Sequence, residues 1–301
     1  MNAGERLPGS PEPMHVWDTP AGLRIAADSW GDNKAPLVVL VHGGGQSRHA
    51  WRTTGRNLGA AGYHAVAFDL RGHGDSDWSP EGDYSADAFI GDLACVLRHL
   101  GEREPVLVGA SLGAEMALLA AGEEAVQVAG IAMIDYAPRT EQGGFERLRD
   151  FMSGNADGFA SLQEVADSIS SFRGGTSKPA NLAGLARVVR LGPDGRYRWH
   201  WDRRLVDCRV REFPQRHERM AAAAKRLRQP ALLVRGAGSD VVSEEGAREF
   251  LQLCPHAQYI NIADAGHMIV GDRNDVFGQA AAPFLARVLP LPAHGGGTAA
   301  G

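Results

Sequence analysis

What the chain has little of narrows its class before any motif is read. Only three cysteines occur in 301 residues, Cys95, Cys208 and Cys254. They are odd in number and far apart, which excludes a disulfide framework and a CxxC metal site, so reduced thiols in a cytoplasmic setting are expected. No uninterrupted apolar run approaches the ~18 residues that a membrane span needs. The opening "MNAGERLPGSPEP" lacks the apolar core of a signal peptide, so neither export nor a membrane partner is expected. Excess charge is missing as well: 31 basic against 36 acidic residues leave a formal net charge of -5. A nucleic-acid partner would require a basic face. The arginine-rich stretch "RYRWHWDRRLVDCRVREFPQRHERM" has acidic residues scattered through it and reads as a solvated surface. There is no HExxH string and no cysteine-histidine cluster, and the one glycine run lacks both the GK[ST] ending of a P-loop and full GxGxxG spacing. No metal and no cofactor is expected.

What remains is an ordinary globular composition, 44% hydrophobic and 22% charged, with short apolar runs alternating with longer amphipathic ones. That order predicts an α/β fold. "LRIAADSW" alternates partially, as an early antiparallel strand would. "PLVVLVHG" is an unbroken run of the kind buried on both faces of a parallel sheet, and "YHAVAFDL", "PVLVGA", "VAGIAMIDY", "PALLVRG" and "AQYINIA" repeat the theme. "SADAFIGDLACVLRHLG" predicts a helix capped by Ser85 and stopped at Gly101. "NDVFGQAAAPFLARVL" predicts another, kinked or interrupted at Pro283. From about Pro138 to Gln229 the rhythm breaks, with helical pieces and no buried-strand run. The expected organisation is a core over 1–137 and 229–291, an inserted lid over 138–228 after the sixth strand, and a flexible tail over 292–301. The proline- and glycine-punctuated first dozen residues read as a second mobile end.

Five polar strings each follow an apolar strand: "VHGGGQSRHAW", "DLRGHGDSD", "GASLG", "RGAGSDVV" and "AGHMI". Loops after the carboxyl ends of parallel strands share one rim of a sheet, so residues distant in sequence converge there. The arrangement resembles the α/β-hydrolase family over roughly Val16 to Leu289, in its serine-nucleophile, lid-bearing esterase and haloperoxidase-like branch. The resemblance implies a mostly parallel central sheet flanked by helices, with a helical lid. "GASLG" matches the GxSxG elbow, in the strand-to-helix context that its mechanics require. Ser111 would then be the nucleophile and His267, after the last strand, its base. Asp240, after the penultimate strand, would orient the imidazole, with Asp135 as the alternative acid. The backbone amides of Gly44 and Leu112 would form the oxyanion hole. His42, and Arg71, His73 and Ser76 in "DLRGHGDSD", are assigned structural roles. Trp199 and Trp201 alternate onto one side of an extended segment, as candidates for a substrate-binding wall or as the lid's own packing.

A serine at the elbow argues against epoxide opening and halide displacement, for which relatives carry aspartate. The reading is therefore a serine hydrolase acting on a small carboxylic ester through an acyl-enzyme. The same triad would also serve lactone opening, perhydrolysis, acyl transfer or carbon-carbon bond cleavage, and the fold also serves small-molecule receptors. The expected partner is a small ester-like molecule, with oligomeric state left open.

Overall fold

A computed structural model describes residues 3–173, 182–266 and 275–291. Its strands are β1 (Glu5–Arg6), β2 (His15–Asp18), β3 (Arg24–Trp30), β4 (Leu37–Val41), β5 (His64–Phe68), β6 (Val106–Ala110), β7 (Gly130–Ile134), β8 (Val189–Leu191), β9 (Tyr197–Trp199), β10 (Ala231–Gly238) and β11 (Gln258–Gly266). Its α-helices are α1 (Arg52–Ala60), α2 (Ala86–His99), α3 (Leu112–Gly122), α4 (Gln142–Ser153), α5 (Leu162–Phe172), α6 (Arg204–Arg226), α7 (Glu244–Leu253) and α8 (Asp275–Val288).

Eight strands form the central sheet in the order β11-β10-β7-β6-β4-β5-β3-β2. The six from β11 to β5 are parallel, whereas β3 and β2 join antiparallel at one edge. Every residue of β4, β5, β6 and β7 is buried. Unbroken apolar runs follow from that placement, since helices cover both faces of a parallel sheet. The edge strand β2 alternates half-buried and exposed residues and carries only two large apolar side chains, which is why it escapes a search for apolar runs.

Two helix ends follow local chemistry. Ser85 Oγ accepts the Ala88 N–H at 3.2 Å to open α2, and Gly101, just beyond its end, takes φ +86°. The last helix differs from expectation: α8 continues through Pro283. Proline inside a helix removes a backbone bond and costs about 3 kcal/mol. Here Ala281, Phe284 and Leu285 lie buried against the sheet on either side of it, and their burial offsets that cost.

The segment between β7 and β10, called the cap below, is not purely helical. Between α5 and α6 it contains the antiparallel hairpin β8-β9, and β1 from the start of the chain adds to β8 as a third strand. The expected mobile amino-terminal end is therefore corrected. Glu5 and Arg6 pair with Leu191 and Arg190, and Ser10 Oγ donates to Ala186 O at 2.8 Å. Proline and glycine there shape a docked segment. The tail over 292–301 lies outside the described residues.

A helix pair fixes cap and body together. All eleven residues of α3 are buried, as expected for a helix covered on every side. One side faces the sheet and another faces α6, where a Cβ on Gly122 would come within 2.4 Å of Ala223 O. The 23 residues of α6 span about 35 Å at 1.5 Å per residue, long enough to run from above the sheet rim down along α3.

Candidate active site

The turn from β6 into α3 puts Ser111 at φ 48°, ψ −114°, a left-handed conformation that side chains beyond glycine rarely adopt. Its neighbours make the turn feasible. A Cβ on Gly109 would lie 2.2 Å from Gly113 O, and one on Gly113 would lie 2.3 Å from Val41 O, so only glycine at both positions lets helix and strand approach this closely. Ser111 N–H donates to Ile134 O at 3.0 Å, and its own carbonyl accepts from Ala114 and Glu115. The backbone is thus fully engaged, and the side chain borders a cavity of about 670 Å³, its open mouth included.

Gly44 and Leu112 border that cavity too. Leu112 opens α3, where first-turn amides have no acceptor within the helix. Around Gly44 the flanking amides are committed: Gly43 N–H donates to Gln46 Oε1 at 3.1 Å, and Gly45 N–H to His73 Nε2 at 3.2 Å. The loop is held while the residue between them faces the cavity.

Three buried histidines support this rim and none is poised to take a proton. His42 Nε2 accepts the Leu70 N–H at 2.9 Å, so its Nδ1 carries the hydrogen and donates to Gly43 O at 2.8 Å. His73 accepts from Gly45, and its Nδ1 donates to Arg71 O at 3.1 Å. His200, from the cap, accepts the Gly74 N–H through Nδ1 at 2.8 Å. Burial holds all three below the ordinary histidine range, His73 at about 3. Arg71 makes a two-pronged bond to Asp92, and Ser76 Oγ ties Asp69 O to the Ala26 N–H. "DLRGHGDSD" is a structural loop.

The two acid candidates sit in different surroundings. Asp240 follows β10 with its side chain one-third exposed, paired with the still more exposed Arg147 at 2.7 Å. Asp135, directly after β7, is fully buried. It takes φ 49°, donates its amide to Val234 O at 2.7 Å, and accepts the Gly236 N–H on Oδ1 at 3.0 Å. His267 lies outside the described residues.

Trp199 and Trp201 do share one side of their segment, with rings stacked at 4.8 Å. They are buried with Phe151 and Phe159, and the Trp201 indole donates to Met152 O at 3.2 Å. Neither borders the cavity beside Ser111. They form the cap's own core, and the apolar wall comes instead from Phe145, Leu148, Met152, Leu205 and Val206 on α4 and α6, with Val241 from the body.

The arginine-rich stretch is the larger correction. Arg216 of α6 is buried and Arg209 largely so, and both border the cavity, where Arg209 pairs with Glu115 and Glu212. Glu115 is itself 1% exposed, and its Oε2 accepts from the Tyr136 hydroxyl at 3.2 Å. Burial raises the Tyr136 hydroxyl's pKa above the ordinary tyrosine range. A signal existed in the sequence. Glu115, one helical turn past Ser111, places a carboxylate in an otherwise apolar helix and calls for a cation beside it, and Arg209 and Arg216 are seven residues apart, on one face of a helix.

Comparison with known proteins agrees with this architecture. A family model described as the alpha/beta hydrolase fold matches residues 36–273. An esterase of Mycobacterium tuberculosis, Rv0045c, is 29% identical over 256 residues, covering 83% of this chain and 82% of its own. An sn-1-specific diacylglycerol lipase of Mus musculus is 27% identical over 268 residues, covering 85% of this chain and 83% of its own. In fold, the crystal structure of E-2-(acetamidomethylene)succinate hydrolase superposes with a TM-score of 0.77 at 22% identity, over 90% of this chain and 98% of the other. With elbow, rim and sheet order in place, the chain belongs to the alpha/beta-hydrolase family.

Proposed function

We propose that the protein hydrolyses a small carboxylic ester through an acyl-enzyme on Ser111. The observation that carries this reading is the left-handed backbone at Ser111, which turns the hydroxyl toward a cavity at the start of α3. Strain of this kind costs of order 1–3 kcal/mol and persists where the surroundings enforce it. The relatives named as an esterase and a lipase support an ester as the bond cleaved.

In the reaction, His267 takes the Ser111 proton as Oγ attacks the carbonyl carbon, and the amides of Gly44 and Leu112 donate to the developing oxyanion. Collapse expels the alcohol, which takes the proton from His267. A water activated by the same imidazole then attacks the acyl carbon, and the acid leaves as Ser111 regains its proton. A carboxylate holds the imidazole in the right tautomer throughout.

The family resemblance assigns that carboxylate to Asp240, after the penultimate strand. Burial supports Asp135 instead, and we take Asp135 as the acid. A charge shielded from water stabilises an imidazolium far more than one that is one-third exposed and already paired with Arg147. The test is fluorophosphonate labelling with peptide mapping, alongside ester kinetics of four variants. Label is expected on Ser111, and Ser111→Ala and His267→Ala should each lower kcat by at least about 10³-fold. Asp135→Asn should cost about 10⁴-fold, and Asp240→Asn less than roughly tenfold. The opposite order of the two aspartates would return the role to Asp240, and label elsewhere, or none, would remove the nucleophile.

A further inference from the structure

The cavity beside Ser111 is electrically unbalanced. Among the described residues, three guanidiniums border it, those of Arg149, Arg209 and Arg216, against one carboxylate, Glu115. Two of the three are answered elsewhere. Arg149 is 38% exposed and bonds Asp150 at the surface. Arg209 is bracketed by Glu115 and Glu212.

Arg216 differs from both. Its side chain is 6% exposed, and the nearest carboxylate oxygen is Glu115 Oε2 at 3.9 Å, an atom that already accepts from Tyr136. Among the described residues its Nη groups hydrogen-bond only to the neutral hydroxyls of Tyr136 and Thr140, and its Nε has no hydrogen-bond partner. The guanidinium lies over two rings, 5.1 Å from the centre of Tyr136 and 4.9 Å from that of Phe213. Aromatic faces steady a cation without neutralising it. A buried cation is costly unless an anion pairs with it. Guanidinium is also the group whose planar donors best match a carboxylate.

We infer that Arg216 receives a carboxylate of the substrate, so that the preferred substrate is an anionic ester, one carrying a free carboxylate beside the bond that Ser111 attacks. This rests on the serine-hydrolase reading and names the substrate class of the same site. Glu115 sets its geometry. By holding Arg209 and the Tyr136 hydroxyl, it fixes the wall against which Arg216 lies, one helical turn from Ser111.

Two matched pairs of esters test the inference, one for each side of the bond. Mono-p-nitrophenyl glutarate is compared with p-nitrophenyl pentanoate, and 4-acetoxybenzoate with p-tolyl acetate. In at least one pair, kcat/KM for the anionic member should exceed that of the neutral member by tenfold or more. Arg216→Gln should bring that ratio to within a factor of about two of unity, and Arg216→Lys should retain part of it. The wild-type ratios and the lysine variant decide the matter even if the glutamine variant misfolds. Neutral members favoured in both pairs, or a ratio unmoved by Arg216→Gln, would overturn the inference while fluorophosphonate labelling of Ser111 still upheld the hydrolase. Absence of both label and turnover would remove the hydrolase reading, and the inference with it.

Discussion

Arg48 in the body and Arg216 in the cap are both buried arginines, but the first sits among carboxylates and the second mostly among neutral groups. Arg48 is fully buried among three carboxylates, Asp28 at 3.2 Å, Asp69 at 2.5 Å and Asp75 at 2.9 Å, and Arg190 from the cap closes on Asp75 at 2.8 Å. Its neighbours hold Asp69 well below the usual carboxylate range despite burial, and Arg48 is correspondingly held above its own. Nothing there is left for a ligand. Arg216 borders a cavity and, among the described residues, meets one carboxylate, at 3.9 Å. A closed cluster of charge serves to lock loops, whereas an open one leaves a place for an incoming partner.

The contrast can be broken most directly at Arg48. Arg48→Met strands the buried carboxylates of Asp28 and Asp69, while Asp75 keeps Arg190, and should cost about 3–5 kcal/mol of folding stability, read from urea unfolding. A cost below about 1 kcal/mol would show that water reaches the cluster and that it is no lock. Acid offers the next test. His42, His49, His73 and His200 are all held below the ordinary histidine range by burial, His49 at about 4. The unfolded chain therefore binds protons that the folded one refuses once pH drops below about 6.5. Stability is fullest above that value and declines as pH falls, by about 1.4 kcal/mol per pH unit for each histidine kept neutral. Urea titrations at pH 7, 6 and 5 should show this slope, and His73→Gln should reduce it by about one proton. A flat profile would mean that these rings are solvated. The smallest effect belongs to Arg216. Arg216→Met leaves Glu115 still paired with Arg209 and should change stability by less than about 1 kcal/mol. A loss as large as that at Arg48 would make Arg216 a structural cation.

The same division decides what could be read from the sequence. Body strands such as "PLVVLVHG" show themselves because both faces are buried, and the GxSxG turn shows itself because close packing at Gly109 and Gly113 admits no other residue. The half-buried edge strand β2 and the three-residue strands β8 and β9 carry no comparable apolar signal. The cap's role was harder still to read. Arginine is common on solvated helices, and composition does not reveal that Arg209 and Arg216 turn inward to meet Glu115. Likewise Trp199 and Trp201 alternate as expected, yet what they pack against depends on α4, and Phe151 and Met152 claim them for the cap's interior. Chain order alone also could not rank Asp135 against Asp240, since both follow parallel strands and differ chiefly in exposure.

The strand at Glu5–Arg6 has a mechanical consequence. Because it is stitched to β8, the cap is anchored at three places along the polypeptide: where the chain enters it, where the chain leaves it, and at its far margin by residues that precede the whole body. Swinging the cap open like a hinged door would have to break the pairing of Glu5 and Arg6 with Leu191 and Arg190. Release of the start of the chain is thereby coupled to any such opening.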